Sequence, residues 1–151
     1  LKYVSGLLIG IVVLLSACSG NNSTLKLDDK RFADTLFIQK VENGSPSEEK
    51  SKIVSDKDKI EKILTMVEGL NVEKTDNVLE KLKGEGNVYM LGFFEGKATP
   101  SKKGEYAFNL MENGTILFGL NTYDNQDSAS ITTEKHPELT KEIKQVLEIE
   151  F

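Results

Sequence analysis

Asn113-Gly114 stands between two apolar runs, Tyr106-Ala107-Phe108-Asn109-Leu110-Met111 and Thr115-Ile116-Leu117-Phe118-Gly119-Leu120. Asn-Gly in that setting predicts a tight hairpin, because a two-residue type I′ turn needs positive φ at both central positions. This part of the chain is thereby committed to neighbouring antiparallel strands. A type I′ turn would set Leu110 opposite Leu117 and Phe108 opposite Gly119, where an aromatic ring can cover the bare backbone of a strand glycine.

The flanking segments extend the sheet. In Val88 to Glu95, Val88, Met90, Gly92 and Phe94 point one way and Tyr89, Leu91 and Phe93 the other. Both sets are apolar, which predicts a central strand covered on both faces. Thr35 to Val41 is rich in β-branched and aromatic residues, Asn43-Gly44-Ser45-Pro46 has turn chemistry, and Lys52-Ile53-Val54 reads as a short return strand. A helix follows, with Ser55 and Asp56 as capping oxygens, Asp58 in the first turn, an apolar stripe at Ile60, Ile63, Leu64 and Val67, and Gly69 as a stop. Thr75 to Lys83 allows one or two helical turns, capped by Thr75 or Asp76 and stopped by Gly84-Glu85-Gly86. Ser130-Ile131-Thr132 has the composition of a further short strand. Pro137 then suits a first helical turn, with a second stripe at Leu139, Ile143, Val146 and Leu147. The expected fold is α+β, an antiparallel sheet of about five strands packed by two main helices in the order β-β-α-(α)-β-β-β-α.

Ahead of this domain, Lys2 is followed by ten uncharged apolar residues, Gly6 to Leu15, and then by Ser16, Ala17 and Cys18. A permanent span needs roughly 20 apolar residues, and no basic stop cluster follows. The pattern is that of a cleaved export signal. Leu15-Ser16-Ala17-Cys18 resembles the lipobox of bacterial lipoproteins. That resemblance implies diacylglyceryl transfer to the Cys18 sulfur and cleavage before Cys18. It divides the chain into a signal peptide at 1–17, a lipidated Cys18 with a flexible tether at 18–33, and a single α+β domain at 34–151. It implies anchoring to the cell membrane, facing outside the cytoplasm, through acyl chains such as palmitate. Two chains, at about 0.8 kcal/mol per buried methylene, hold firmly where one is marginal. Richness in Lys, Glu, Asn and Ile points to a Gram-positive source. The strand pair, the run Ser55-Asp56-Lys57-Asp58-Lys59-Ile60-Glu61-Lys62-Ile63-Leu64 and the late strands also resemble small lipoproteins of bacilli, the YhfM-like domains among them. That second likeness spans about residues 35–120 and carries no catalytic or ligand residue.

Composition narrows the chemistry. The chain carries a net charge of −5, and the leader contributes only the positive Lys2, so the remainder is more acidic still. Such a surface does not neutralise phosphates, and nucleic acid is not an expected partner. One cysteine cannot close an internal disulfide, and its lipidation removes it as a nucleophile. One histidine, His136, sits directly before Pro137, a place for the start of a helix rather than a triad. With one His and no free Cys, a zinc site lacks ligands. Asp124-Asn125-Gln126-Asp127 opens like a calcium loop, but its fifth, sixth and twelfth positions are Ser128, Ala129 and Lys135 instead of an oxygen ligand of the Asp/Asn type, Gly and Glu. Asp28-Asp29 and Glu48-Glu49 are adjacent carboxylates whose side chains splay apart, unlike a pair facing across a cleft. Lys81-Leu82-Lys83 and Ser101-Lys102-Lys103 read as solvated faces, and Gly84-Glu85-Gly86 lacks the rest of a phosphate loop. No catalytic residue, metal or cofactor is expected. The expected function is non-enzymatic binding of a surface protein, peptide or cell-wall component by a module anchored through the lipid on Cys18. The alternatives are a carboxylate-dependent hydrolase at the cell surface and a small accessory solute-binding lipoprotein.

Overall fold

The computed structural model describes residues 22–99, 104–119 and 129–151. The lipobox residues Leu15, Ser16, Ala17 and Cys18, the segment Asp124 to Asp127 and the run Ser101-Lys102-Lys103 lie outside the described residues. In chain order the elements are β1 (Asn22–Thr24), β2 (Thr35–Glu42), β3 (Ser45–Val54), α1 (Lys57–Val67), β4 (Asn71–Lys74), α2 (Val78–Lys83), β5 (Asn87–Phe94), β6 (Tyr106–Met111), β7 (Ile116–Phe118), β8 (Ser130–Thr132) and α3 (Pro137–Val146). All eight strands form one antiparallel sheet in the order β1-β4-β8-β7-β6-β5-β2-β3.

This corrects the expected sheet of about five strands with two main helices. Among the described residues one antiparallel sheet has eight strands, and three helices attend it. The strands missing from the expectation are short: β1 has three exposed polar residues, and β4 buries only Val72. Neither carries an alternating apolar pattern, since backbone pairing to a neighbour, not side-chain burial, makes them strands. Residues 22–33 are likewise not tether. Asn22 pairs with Glu73, the Leu25 N–H donates to Leu70 at 2.8 Å, and Leu25, Leu27 and Phe32 pack on the core. Lys30 reaches across to Glu68, and its ammonium holds that carboxyl below the ordinary range.

Two hairpins show how local chemistry sets register. Glu42 pairs with Ser45, and Asn43 and Gly44 between them have φ of 49° and 79°, the double positive φ of a type I′ turn. At Asn113-Gly114 the outcome differs from the expectation. Only Gly114 has positive φ (88°), the Met111 N–H donates to Thr115 at 2.9 Å, and the Gly114 N–H returns to Met111 at 3.0 Å. The loop therefore has three residues, ending in a left-handed glycine. Leu110 pairs with Ile116 and Phe108 with Phe118, one residue from the anticipated alignment. A one-residue slip exchanges the faces of a strand. Ile116 and Phe118 thus enter the main core, while Leu117 turns to the opposite face. The Phe108 and Phe118 rings meet at 5.5 Å.

The main core lies between one sheet face and the helices α1 and α3. Ile60, Ile63, Leu64 and Val67 of α1 are all fully buried, against Leu36, Ile38, Leu91, Phe93, Phe108 and Leu110 of the sheet. Asp56 caps α1 by accepting from the N–H groups of Asp58 and Lys59, both at 3.1 Å. Burial of each such aliphatic side chain stabilises by about 1.5–3 kcal/mol. The opposite face holds a smaller cluster in which Val78 of α2 packs with Met111, Leu117 and Ala129. Covering there is partial. Val88 and Phe94 of β5 are buried, but Met90 between them is 40% exposed and Ile53 of β3 is 59% exposed. The central strand is therefore fully enclosed on one side only.

Candidate functional site

A groove of about 400 Å³ lies beside α3, bounded by Tyr89, Glu112, Pro137, Thr140, Lys141, Lys144 and the segment 148–150. Its position follows from the alternation along β5. Tyr89 shares the main-core face with Leu91 and Phe93, but it lies near the strand's first residues, where the aliphatic core gives way to α3. The apolar stripe of α3 turns Ile143 into the core, which leaves Lys141 and Gln145 on the outer flank.

The floor of the groove is a fixed polar assembly. The Lys144 ammonium donates to the Tyr89 hydroxyl at 2.8 Å and lies 4.1 Å from the centre of its ring. The hydroxyl in turn donates to the main-chain oxygen of Phe151 at 2.9 Å. Lys40, opposite Tyr89 on β2, approaches the same ring at 5.9 Å. A cation over a tyrosine ring gains from the ring quadrupole, more at 4.1 Å than at 5.9 Å. Lys40 also pairs with Glu42 at 2.8 Å, and Lys50 donates to Glu42 at 2.8 Å. These two lysines hold the Glu42 carboxyl at about 2, and Glu42 raises Lys40 above its ordinary value.

The C-terminal end of α3 forms the second wall. The Ile149 N–H donates to Lys144 at 3.0 Å and the Glu148 N–H to Gln145 at 3.1 Å, the paired bonds of a Schellman cap. Such a cap needs a left-handed residue, usually glycine; here it is Glu148, with φ of 51°. Lys52 donates to the carbonyls of Leu147 and Glu148 at 2.9 and 3.2 Å, and Lys59 pairs with the Glu148 carboxylate at 2.7 Å. The Lys59 ammonium holds the Glu148 carboxyl below its ordinary range.

These commitments decide what the groove can do. The Tyr89 hydroxyl is held from two directions, donating to Phe151 and accepting from Lys144. Glu148 is a charged, paired group rather than a proton donor. Thr140, buried in the groove wall, has a hydroxyl oxygen without a hydrogen-bond partner among the described residues. The arrangement offers shape and mixed charge, which are means of binding. Among the described residues no three His, Cys, Asp or Glu side chains come together as a metal site, and no helix is long and apolar enough to cross a membrane.

Of the residues singled out in the sequence, His136 sits at the start of α3, its N–H donating to Gly114 at 2.7 Å and its side chain making no cap bond. Asp29 accepts from the Arg31 N–H at 2.8 Å in a local turn, and Glu48 and Glu49 are exposed on β3. None of these reaches the groove. The groove's own residues carried no sequence signal beyond one polar-tipped aromatic in an apolar strand, Tyr89, and lysines on the wet side of a helical stripe. No known protein family, curated protein or solved structure matches the chain.

Proposed function

We propose that the chain is a membrane-anchored extracytoplasmic lipoprotein whose domain binds a surface protein, peptide or cell-wall component without transforming it. The observation that carries the anchoring is the apolar run ending in Leu15-Ser16-Ala17-Cys18. The binding role is supported by the groove beside α3, in which Tyr89, Lys144 and Glu148 hold the shape through fixed contacts. Lys141 and Gln145 on the flank of α3, and Glu112 across from them, present both charges and amide chemistry to a ligand. Such a mixture suits a peptide-like chain better than a single small ion.

The test is crosslinking of the anchored protein in intact cells, comparing the natural chain with Lys141→Glu. Lys141 is exposed and its replacement leaves the Tyr89–Lys144 assembly untouched. The expected outcome is a specific crosslinked partner or wall fragment with the natural chain, reduced at least about tenfold in the variant, the loss of roughly 1.4 kcal/mol of binding. Turnover of a wall or peptide substrate by the purified domain would contradict the binding-only reading.

A further inference from the structure

We infer that the anchored domain stands on one end of its sheet, with the groove beside α3 turned away from the bilayer. This rests on the proposal that Cys18 is the acylated residue. Three residues, Ser19, Gly20 and Asn21, separate Cys18 from Asn22, which is already paired with Glu73 in the sheet. Whatever their arrangement, the four steps from Cys18 to Asn22 reach at most about 14 Å. By contrast, the eight-residue β5 is about 26 Å long, and a sheet of eight strands is about 34 Å wide. A leash that short keeps such a domain close to the headgroups and restricts how far it can turn over. The corner where β1 begins is held at the surface.

The register identifies which end of the sheet shares that corner. Antiparallel pairing puts the start of β1 level with the end of β4, the start of β8, the end of β5, the start of β2 and the end of β3. Ser55, just after β3, belongs to this end. The opposite end carries the Asn43-Gly44 turn, whose Asn43 N–H donates to Gly86, and the Gly114 loop, whose carbonyl accepts from His136. Ser45 belongs there. So do Glu112 and Pro137 of the groove, Pro137 lying directly against Gly114. The anchor and the groove are therefore at opposite ends of the strands, and the groove is offered outward, to whatever lies beyond the membrane.

The inference is tested by energy transfer to fluorescent headgroup lipids in neutral phosphatidylcholine vesicles carrying the full acylated chain purified from membranes. Acylation consumes the Cys18 sulfur, so Ser45→Cys and Ser55→Cys each supply a single thiol for a donor dye. Both positions are exposed. They lie on the order of 20 Å apart along the strand axis, and transfer at Ser55→Cys is expected to exceed that at Ser45→Cys at least about twofold. Equal or reversed transfer would overturn the orientation. Lengthening the chain with a dozen Gly/Ser residues after Gly20 is expected to erase the difference, and its persistence would refute the short leash as its cause. If acylation itself fails, the Ser45→Cys chain titrates with two thiols per molecule and does not enter vesicles, a result separate from any depth profile.

Discussion

At Tyr106 a phenolic hydroxyl is buried beside the rings of Phe93 and Phe108, at 6.0 and 6.2 Å, with no hydrogen-bond partner among the described residues, and burial pushes its pKa far upward. An unmet buried polar group costs about 1–3 kcal/mol. Tyr106→Phe is accordingly expected to stabilise the domain by about 1 kcal/mol and raise the unfolding temperature by a few degrees. Calorimetry showing a fall instead would mean the hydroxyl is satisfied. Glu42 is the opposite case, a carboxylate whose every contact favours its charge. Its folded pKa is depressed to about 2 from 4.5, so the stability it contributes is present above pH 4.5 and is lost as the pH falls towards 2. Glu42→Gln should flatten that part of the acid unfolding curve, and added salt should shrink the difference because the group is exposed. An unchanged acid limb in dilute buffer would show the lysine pairing to be idle.

The hairpin around Gly114 ties β6 and β7 to the start of α3. Its φ of 88° disfavours any residue with a side chain, and a Cβ there would lie 2.5 Å from the Pro137 nitrogen. Gly114→Ala is expected to cost at least about 1–3 kcal/mol from the backbone alone, with the displacement of α3 added, whereas Gly44→Ala, where nothing lies within 4 Å of a Cβ, should show only the backbone cost. Equal losses at the two glycines, measured by urea unfolding, would remove Pro137 from the account. These elements also show what the sequence could reveal. The stripe of α1 was legible because four apolar residues at helical spacing have one economical burial. The alternation of β5 was legible for the same reason. The register at Asn113-Gly114 was not, since Asn-Gly serves both a two-residue turn and a three-residue loop ending in glycine, and the contact of Gly114 with Pro137 that accompanies the second is non-local. β1 and β4 were invisible because their strand character comes from backbone pairing, β1 with β4 and β4 with β8 as well. The groove was invisible too: Tyr89 and Lys144 are 55 residues apart, and nothing near either announces the pair.

In the whole molecule, a leader with an export-signal pattern, a very short leash and a domain with eight strands among the described residues make one proposal: a binding groove held on the outer side of a membrane. The paired floor of the groove agrees with binding. The anchoring stands on the motif at Leu15 to Cys18. Its genetic check is Cys18→Ser, which should leave the chain uncleaved or released and without lipid label; retention with normal labelling would refute it. The most direct measurement is intact mass spectrometry of the chain recovered from membranes. The account predicts a mature form beginning at Cys18 and heavier than the bare polypeptide by a diacylglyceryl group. A chain still carrying residues 1–17, or one beginning at an unmodified Cys18, would contradict it.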